Sequence, residues 1–149
     1  MIGPLLSQLA WELRYLSSLA QTAHWLASGP SSYSDHQLYR ELYVKLDSLL
    51  DPIAEQAVFY GSDVDPVNQS RYILTRMLEY SGEFRDSSPD FSLFFQRQLD
   101  KLVRNIRAIL TEIPFHGGGD TPLGLEDLLT SSAGEISSFR YFLSRRSLI

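Results

Sequence analysis

The chain contains no cysteine, which removes disulfide frameworks and thiolate zinc sites from consideration while leaving the redox compartment open. Lysine is nearly missing as well. Lys45 and Lys101 stand against eleven scattered arginines, and neither terminus carries a lysine-rich arm. With a net charge of −5 and a pI near 5.1, the chain repels a phosphate backbone, so DNA binding is not expected. The same field draws cations in. A long apolar run is also absent: the opening MIGPLLSQLAWELRYL carries Glu12 and Arg14 inside its apolar pattern and has no basic lead. It reads as neither a signal peptide nor a membrane span, and a cytoplasmic protein without membrane contact is the expectation. Finally, no E-x-x-H occurs, and a di-iron centre inside a single helical bundle would need such pairs.

What is present is helical periodicity over nearly the whole length. The 149 residues, 44% hydrophobic and 12% aromatic, suffice for one domain, 1–149, with its own core. Leu5, Leu6, Leu9, Leu13, Leu16, Ala20 and Ala23 form a stripe that predicts a first helix ending near Ser28. Leu38, Leu42, Leu46, Leu49, Ile53 and Ala57 predict a second, capped by Ser34 or Asp35 and ended at Gly61. Gly61 to Asp65 reads as a loop. Pro66 to Tyr80 reads as a short amphipathic helix with Ile73, Met77 and Val67 inward, and Ser81 to Pro89 as a polar linker. Phe95, Leu99, Leu102, Val103, Ile106, Leu110 and Ile113 mark a third long helix, ended by Pro114. After the glycine-rich HGGGDTP, His116 to Pro122, where His116 should face solvent, a fourth runs from Leu125 through Leu128, Leu129, Ile136, Phe139 and Phe142. The expected architecture is all-α: a four-helix bundle with a short extra helix between the second and third long helices.

The chemistry concentrates between His24 and Glu55. His24 lies near the end of the first predicted helix and His36, twelve residues on, near the start of the second, with Gly29 and Pro30 between them. A helix-turn-helix brings the two imidazoles together. Asp51 and Glu55, four residues apart, project from one face of the second helix. Two imidazoles and two carboxylates suit iron, zinc or manganese. His36 and Asp51 are nevertheless fifteen residues apart on one helix, roughly 22 Å at its rise per residue, so no single metal reaches both within one chain. Antiparallel packing of the helix on its own copy across a two-fold axis would place His36 beside Asp51 and Glu55 of the other subunit, twice over. Pro52 admits a competing reading, in which Asp51 caps a new helix and ligates nothing. The apolar stripe crosses Pro52 without a phase change, and a capping box would want an acid where Ala54 stands, which favours one kinked helix.

AHW with a glycine five residues after the histidine, the second histidine twelve on, LDPIAEQAVFYG, and EDLLTSSAGEISSFRYFLS together resemble the Dps family of ferritin-like mini-ferritins over nearly the whole chain. The resemblance implies a hollow homododecamer that oxidises ferrous iron, preferably with hydrogen peroxide rather than oxygen, at two-fold intersubunit sites and stores the ferric product, limiting oxidative damage. By position, it assigns His24 and His36 of one subunit, and Asp51 and Glu55 of its partner, as iron ligands and ferroxidase residues. Trp25 matches a tryptophan beside that site, and Asp120, Glu126 and Asp127 match acidic pore residues. Plain readings stand beside these: Trp25, Tyr33, Tyr39 and Tyr43 as packing, and the three acids as solvated charges favoured by a helix N-terminus.

Two departures matter. Many members carry a lysine-rich DNA-binding tail that is missing here. Arg40 stands four residues after His36, where the family usually has a further carboxylate ligand, and a cation there repels metal unless it is neutralised. Antiparallel pairing places Arg40 near Asp47 and Asp51 of the partner, which suggests an intersubunit ion pair to Asp47. Glu41 is turned about 100° away and is a poor substitute. A Dps-fold shell or interaction protein with a decayed site is the alternative expectation.

Overall fold

The computed structural model describes residues 2–85, 91–116 and 123–146, with side chains for 2–79, 91–113 and 124–146. Five helices follow in order: α1 (Ile2–Leu26), α2 (Ser32–Phe59), α3 (Pro66–Arg85), α4 (Phe91–His116) and α5 (Leu123–Arg146). No strand occurs among the described residues, and no described helix is long and apolar enough to cross a membrane.

The predicted stripes build the core. Leu6, Leu9, Leu13, Leu16, Ala20 and Ala23 of α1 are buried against Leu42, Leu46, Leu49, Leu50, Ile53 and Ala57 of α2. Steps of three and four keep these residues on one arc of a 3.6-residue helix, with Leu50 widening the arc on α2. The two helices form an antiparallel hairpin, with Ser7 bonded to Ser62, Ser17 to Asp47 and His24 to His36 in register. Helices α4 and α5 form a second hairpin, tied by Ser92 to the Leu143 carbonyl and by Arg140 to Asp100. The hairpins meet where α1 packs on α4 and α2 on α5.

Helix α2 answers the question posed by Pro52. It runs unbroken from Ser32 to Phe59 with Pro52 inside it, so Asp51 caps nothing. An interior proline costs about 3 kcal/mol. Burying Leu49, Leu50 and Ile53 on either side of it returns roughly 1.5–3 kcal/mol each, enough to keep the helix whole. Gly61, at φ +81°, ends it as expected: Gly61 N–H donates to Val58 O at 2.9 Å and Ser62 N–H to Ala57 O at 3.0 Å, the crossed pair of a Schellman stop.

Several boundaries differ from the sequence reading. Helix α1 stops at Leu26 rather than Ser28. Helix α2 starts at Ser32, before either predicted cap, because Gly29 at φ +85° turns the chain early and Ser32 N–H bonds Gly29 O at 3.0 Å. Helix α3 begins at Pro66, with the Asp65 carboxylate accepting from Val67 N–H at 2.8 Å, but runs 20 residues to Arg85. Residues 81–85, read as linker, are therefore helical; a surface helix needs no apolar stripe to continue. Pro114 lies inside α4 rather than ending it, since near a helix end it removes a single hydrogen bond. His116 closes α4, and residues 117–122 of the glycine-rich segment lie outside the described residues.

Some side chains also sit on the other face. Val67 is 58% exposed because six residues before Ile73 is about 240° around a helix. Phe142 is exposed, and Leu143 takes the buried place on α5. Leu5 lies on the rim of the α1 stripe.

Candidate metal centre

The α1–α2 turn brings His24 and His36 into contact. His24 is buried in the last turn of α1, whereas His36 is exposed near the start of α2. Their rings stack with centroids 3.7 Å apart and planes 27° from parallel. Each ring is bonded to the other residue's backbone: Nδ1 of His24 lies 2.7 Å from His36 O, and Nδ1 of His36 lies 2.9 Å from His24 O. A carbonyl only accepts, so each Nδ1 must carry the proton, and in the neutral rings each Nε2 keeps its lone pair. This backbone-anchored tautomer is the one in which imidazoles ligate metals through Nε2. Tyr43 packs edge-on against His24, with centroids 5.6 Å apart.

The acids lie elsewhere. Asp47, Asp51 and Glu55 are exposed on α2, and among the described residues the Asp51 and Glu55 carboxylates have neither an ion-pair nor a hydrogen-bond partner. Asp47 accepts a hydrogen bond from Ser17 Oγ at 2.7 Å. Asp47 and Asp51 line an open cleft of about 390 Å³ between α1 and α2, with Arg14, Ser17 and Gln21 on its other wall. Among the described residues, no three His, Cys, Asp or Glu side chains cluster as a metal site within one chain. The chain therefore brings together the two histidines and leaves the two carboxylates apart from them.

The neighbours divide. Tyr39 is buried against Phe91 and Phe95, and half-buried Tyr43 packs against His24, as packing residues. Trp25 and Tyr33 are not core packing: they are 66% and 86% exposed around the turn. Arg40, one turn beyond His36, is exposed. Glu126 and Asp127 are exposed at the start of α5, and Asp120 lies outside the described residues.

Two polar constellations escaped the sequence reading. Asp35, beside His36, is held by Arg146 of α5, with Nε 2.6 Å from Oδ1 and the second guanidinium nitrogen 3.0 Å from Oδ2. Glu12, buried on α1, accepts from the Tyr72 hydroxyl at 2.7 Å and from Arg76 at 2.7 and 3.1 Å, and Arg76 also covers the Tyr15 ring at 5.3 Å. Burial, and then the bond to Glu12, pushes the Tyr72 hydroxyl well above its usual range. Glu12 carried a readable signal, an acid on the arc of Leu9, Leu13 and Leu16. Asp35 carried none.

No protein-family model and no curated protein sequence matches the chain. Among solved structures, the crystal structure of Dps92 from Deinococcus radiodurans superposes with a TM-score of 0.73 at 17% identity, covering 97% of this chain and 84% of that one. Two antiparallel hairpins joined through α3, matched over almost the full length, give this chain the ferritin-like four-helix fold of a Dps protein.

Proposed function

We propose that the chain assembles as a Dps-type shell of twelve copies and oxidises ferrous iron, its substrate and cargo, at sites shared across two-fold axes. The observation that carries this reading is the reciprocal histidine pair. Two imidazoles whose Nδ1–H groups are both spent on backbone carbonyls each leave an Nε2 lone pair for a metal, with the tautomer already set. His24 and His36 supply those nitrogens. Asp51 and Glu55 of a second copy supply the anionic half, which fits their exposure and their lack of partners among the described residues. An acidic protein surface concentrates the cation. Hydrogen peroxide is the preferred oxidant: it takes one electron from each of two ferrous ions and two protons, its O–O bond breaks, and two waters and two ferric ions result. The ferric product mineralises inside the shell, so both ingredients of hydroxyl-radical chemistry are consumed in a cytoplasmic setting. A net charge of −5 opposes a phosphate backbone and supports storage without DNA condensation.

Arg40 favours a second reading. Its exposed guanidinium, one turn from His36, stands where an added carboxylate would strengthen cation binding, and a shell whose site has decayed would tolerate it. One experiment separates the two. Ferrous iron is mixed anaerobically with the purified protein and then with peroxide, beside a His36→Ala, Asp51→Ala double variant. Fast oxidation that the variant loses supports the ferroxidase; a wild-type rate no higher than buffer leaves the shell alone.

A further inference from the structure

Helix α2 begins without a side-chain cap: Ser31 makes no capping hydrogen bond. Of the helix's first N–H groups, Ser32 donates to Gly29 O and Asp35 to Ser31 O, while the Ser31 side chain caps neither Tyr33 nor Ser34. A helix start held by so few bonds frays readily. His36 lies in this stretch and is exposed, so burial does little to hold its ring. Its position is set by the backbone of the first turns, by the stack on His24 and by one hydrogen bond. The residue immediately before it, Asp35, is gripped from the far end of the chain, 111 residues away, by Arg146 in the last turn of α5. Both side chains are substantially shielded, at 27% and 16% exposure, and two parallel N–H···O bonds fix orientation as well as distance.

We propose that Asp35 and Arg146 are a positioning pair: the end of α5 reaches across the bundle to pin the first turn of α2, and so holds His36 against His24 with both backbone bonds closed. A turn later, Tyr39 anchors α2 to α4 through Phe91 and Phe95, so releasing the pair loosens the His36 turn without unhinging the helix. The consequence for iron rests on the ferroxidase reading; the consequence for the ring geometry does not.

The test uses the full-length assembled protein with Arg146→Gln and Asp35→Asn, singly and together. Arg140→Gln serves as a control, because Arg140 lies on the same helix as Arg146 and its exposed pair with Asp100 of α4 is broken instead. Half-saturation by ferrous iron in peroxide-driven oxidation, and by Co²⁺ as an anaerobic optical probe, is measured beside Tm. The expected result is half-saturation raised about tenfold or more in each single variant. The double variant should be no worse than either single, because one interaction is lost only once, and Arg140→Gln should be unchanged. Unaltered half-saturation in Arg146→Gln and Asp35→Asn, additive losses, or an equal loss in Arg140→Gln would overturn the proposal. A second readout is ¹⁵N spectroscopy of labelled histidines. Protected Nδ1–H signals of His24 and His36 that vanish in Asp35→Asn support the pinning even where wild-type protein oxidises no iron. Signals retained in both variants overturn it, and a wild type inert toward iron sinks the ferroxidase alone.

Discussion

Glu12 and the pair Asp51/Glu55 are carboxylates on adjacent helices of one hairpin, and they lead opposite lives. Glu12 is buried, and Tyr72 and Arg76 saturate both of its oxygens within the chain. Asp51 and Glu55 face outward on α2 with no partner among the described residues. A buried charge must be paired at home or it unfolds the protein, so the company Glu12 keeps speaks of stability. Exposed acids without a partner among the described residues are free for another molecule, which the proposed antiparallel second copy would supply. Removing them should therefore damage function and spare the fold, while removing Glu12 should do the reverse.

The largest effect tests the second half of that contrast. Asp51→Ala and His36→Ala should each abolish peroxide-driven ferrous oxidation, with unfolding free energy changed by no more than about 0.5 kcal/mol for Asp51→Ala and by about 1 kcal/mol for His36→Ala, which gives up one hydrogen bond. If the site is shared, shells co-assembled from equal amounts of the two dead variants regain about a quarter of wild-type activity, since a mixed pair contains one intact and one doubly broken site. No recovery in verified mixed shells would place all ligands within one subunit and break the comparison. Next in size is Glu12→Ala, expected to cost about 3 kcal/mol in chemical denaturation at fixed protein concentration, because it strands the Arg76 guanidinium in a shielded site. A loss below about 1 kcal/mol would mean that Glu79, 2.8 Å from Arg76, suffices as its counter-ion.

The sequence shows much of this frame and hides particular parts of it. The α1 and α2 stripes, the stop at Gly61 and the passage through Pro52 follow from local periodicity and glycine chemistry. So does the meeting of His24 and His36, which are joined by one short turn. What stays hidden depends on register between distant elements. Arg146 finds Asp35 across 111 residues and Arg76 finds Glu12 across 64, and no local spacing encodes either meeting. Helix α3 overran its predicted end because an exposed helix has little apolar pattern to mark its limits. The two carboxylates of the proposed site are legible as residues, but within one chain they lie apart from the histidines, and only the proposed second copy would bring the two sets together.

Arg40 sharpens the comparison from the side of charge. Arg40→Asp should tighten ferrous binding, by about tenfold for one repulsive contact exchanged for an attractive one at partly screened distance. On the proposed antiparallel pairing, Asp47, already oriented by Ser17 Oγ, would receive Arg40 of a second copy. Asp47→Asn should accordingly weaken binding modestly in wild type and have no effect in the Arg40→Asp background. Unchanged or weaker ferrous binding in Arg40→Asp would remove Arg40 from the site.

The smallest effect is a pH dependence that belongs to the Glu12 side alone. The Tyr72 hydroxyl is held protonated in the folded state by burial and by its bond to Glu12, so its folded pKa lies above its unfolded value near 10. Below that pH, both states keep the proton and the bond contributes its full stability. Above it, the unfolded chain releases the proton while the folded one retains it, and stability falls as pH rises, by up to about 1.4 kcal/mol per pH unit for this one group. Tyr72→Phe should start less stable, by about 1 kcal/mol for the lost hydrogen bond, and should then lose less between pH 9 and pH 11 than wild type does. Denaturation curves of the two proteins across that range decide the matter. Parallel declines would show that Glu12 is satisfied by Arg76 without Tyr72, which would narrow the buried carboxylate's company to a single ion pair.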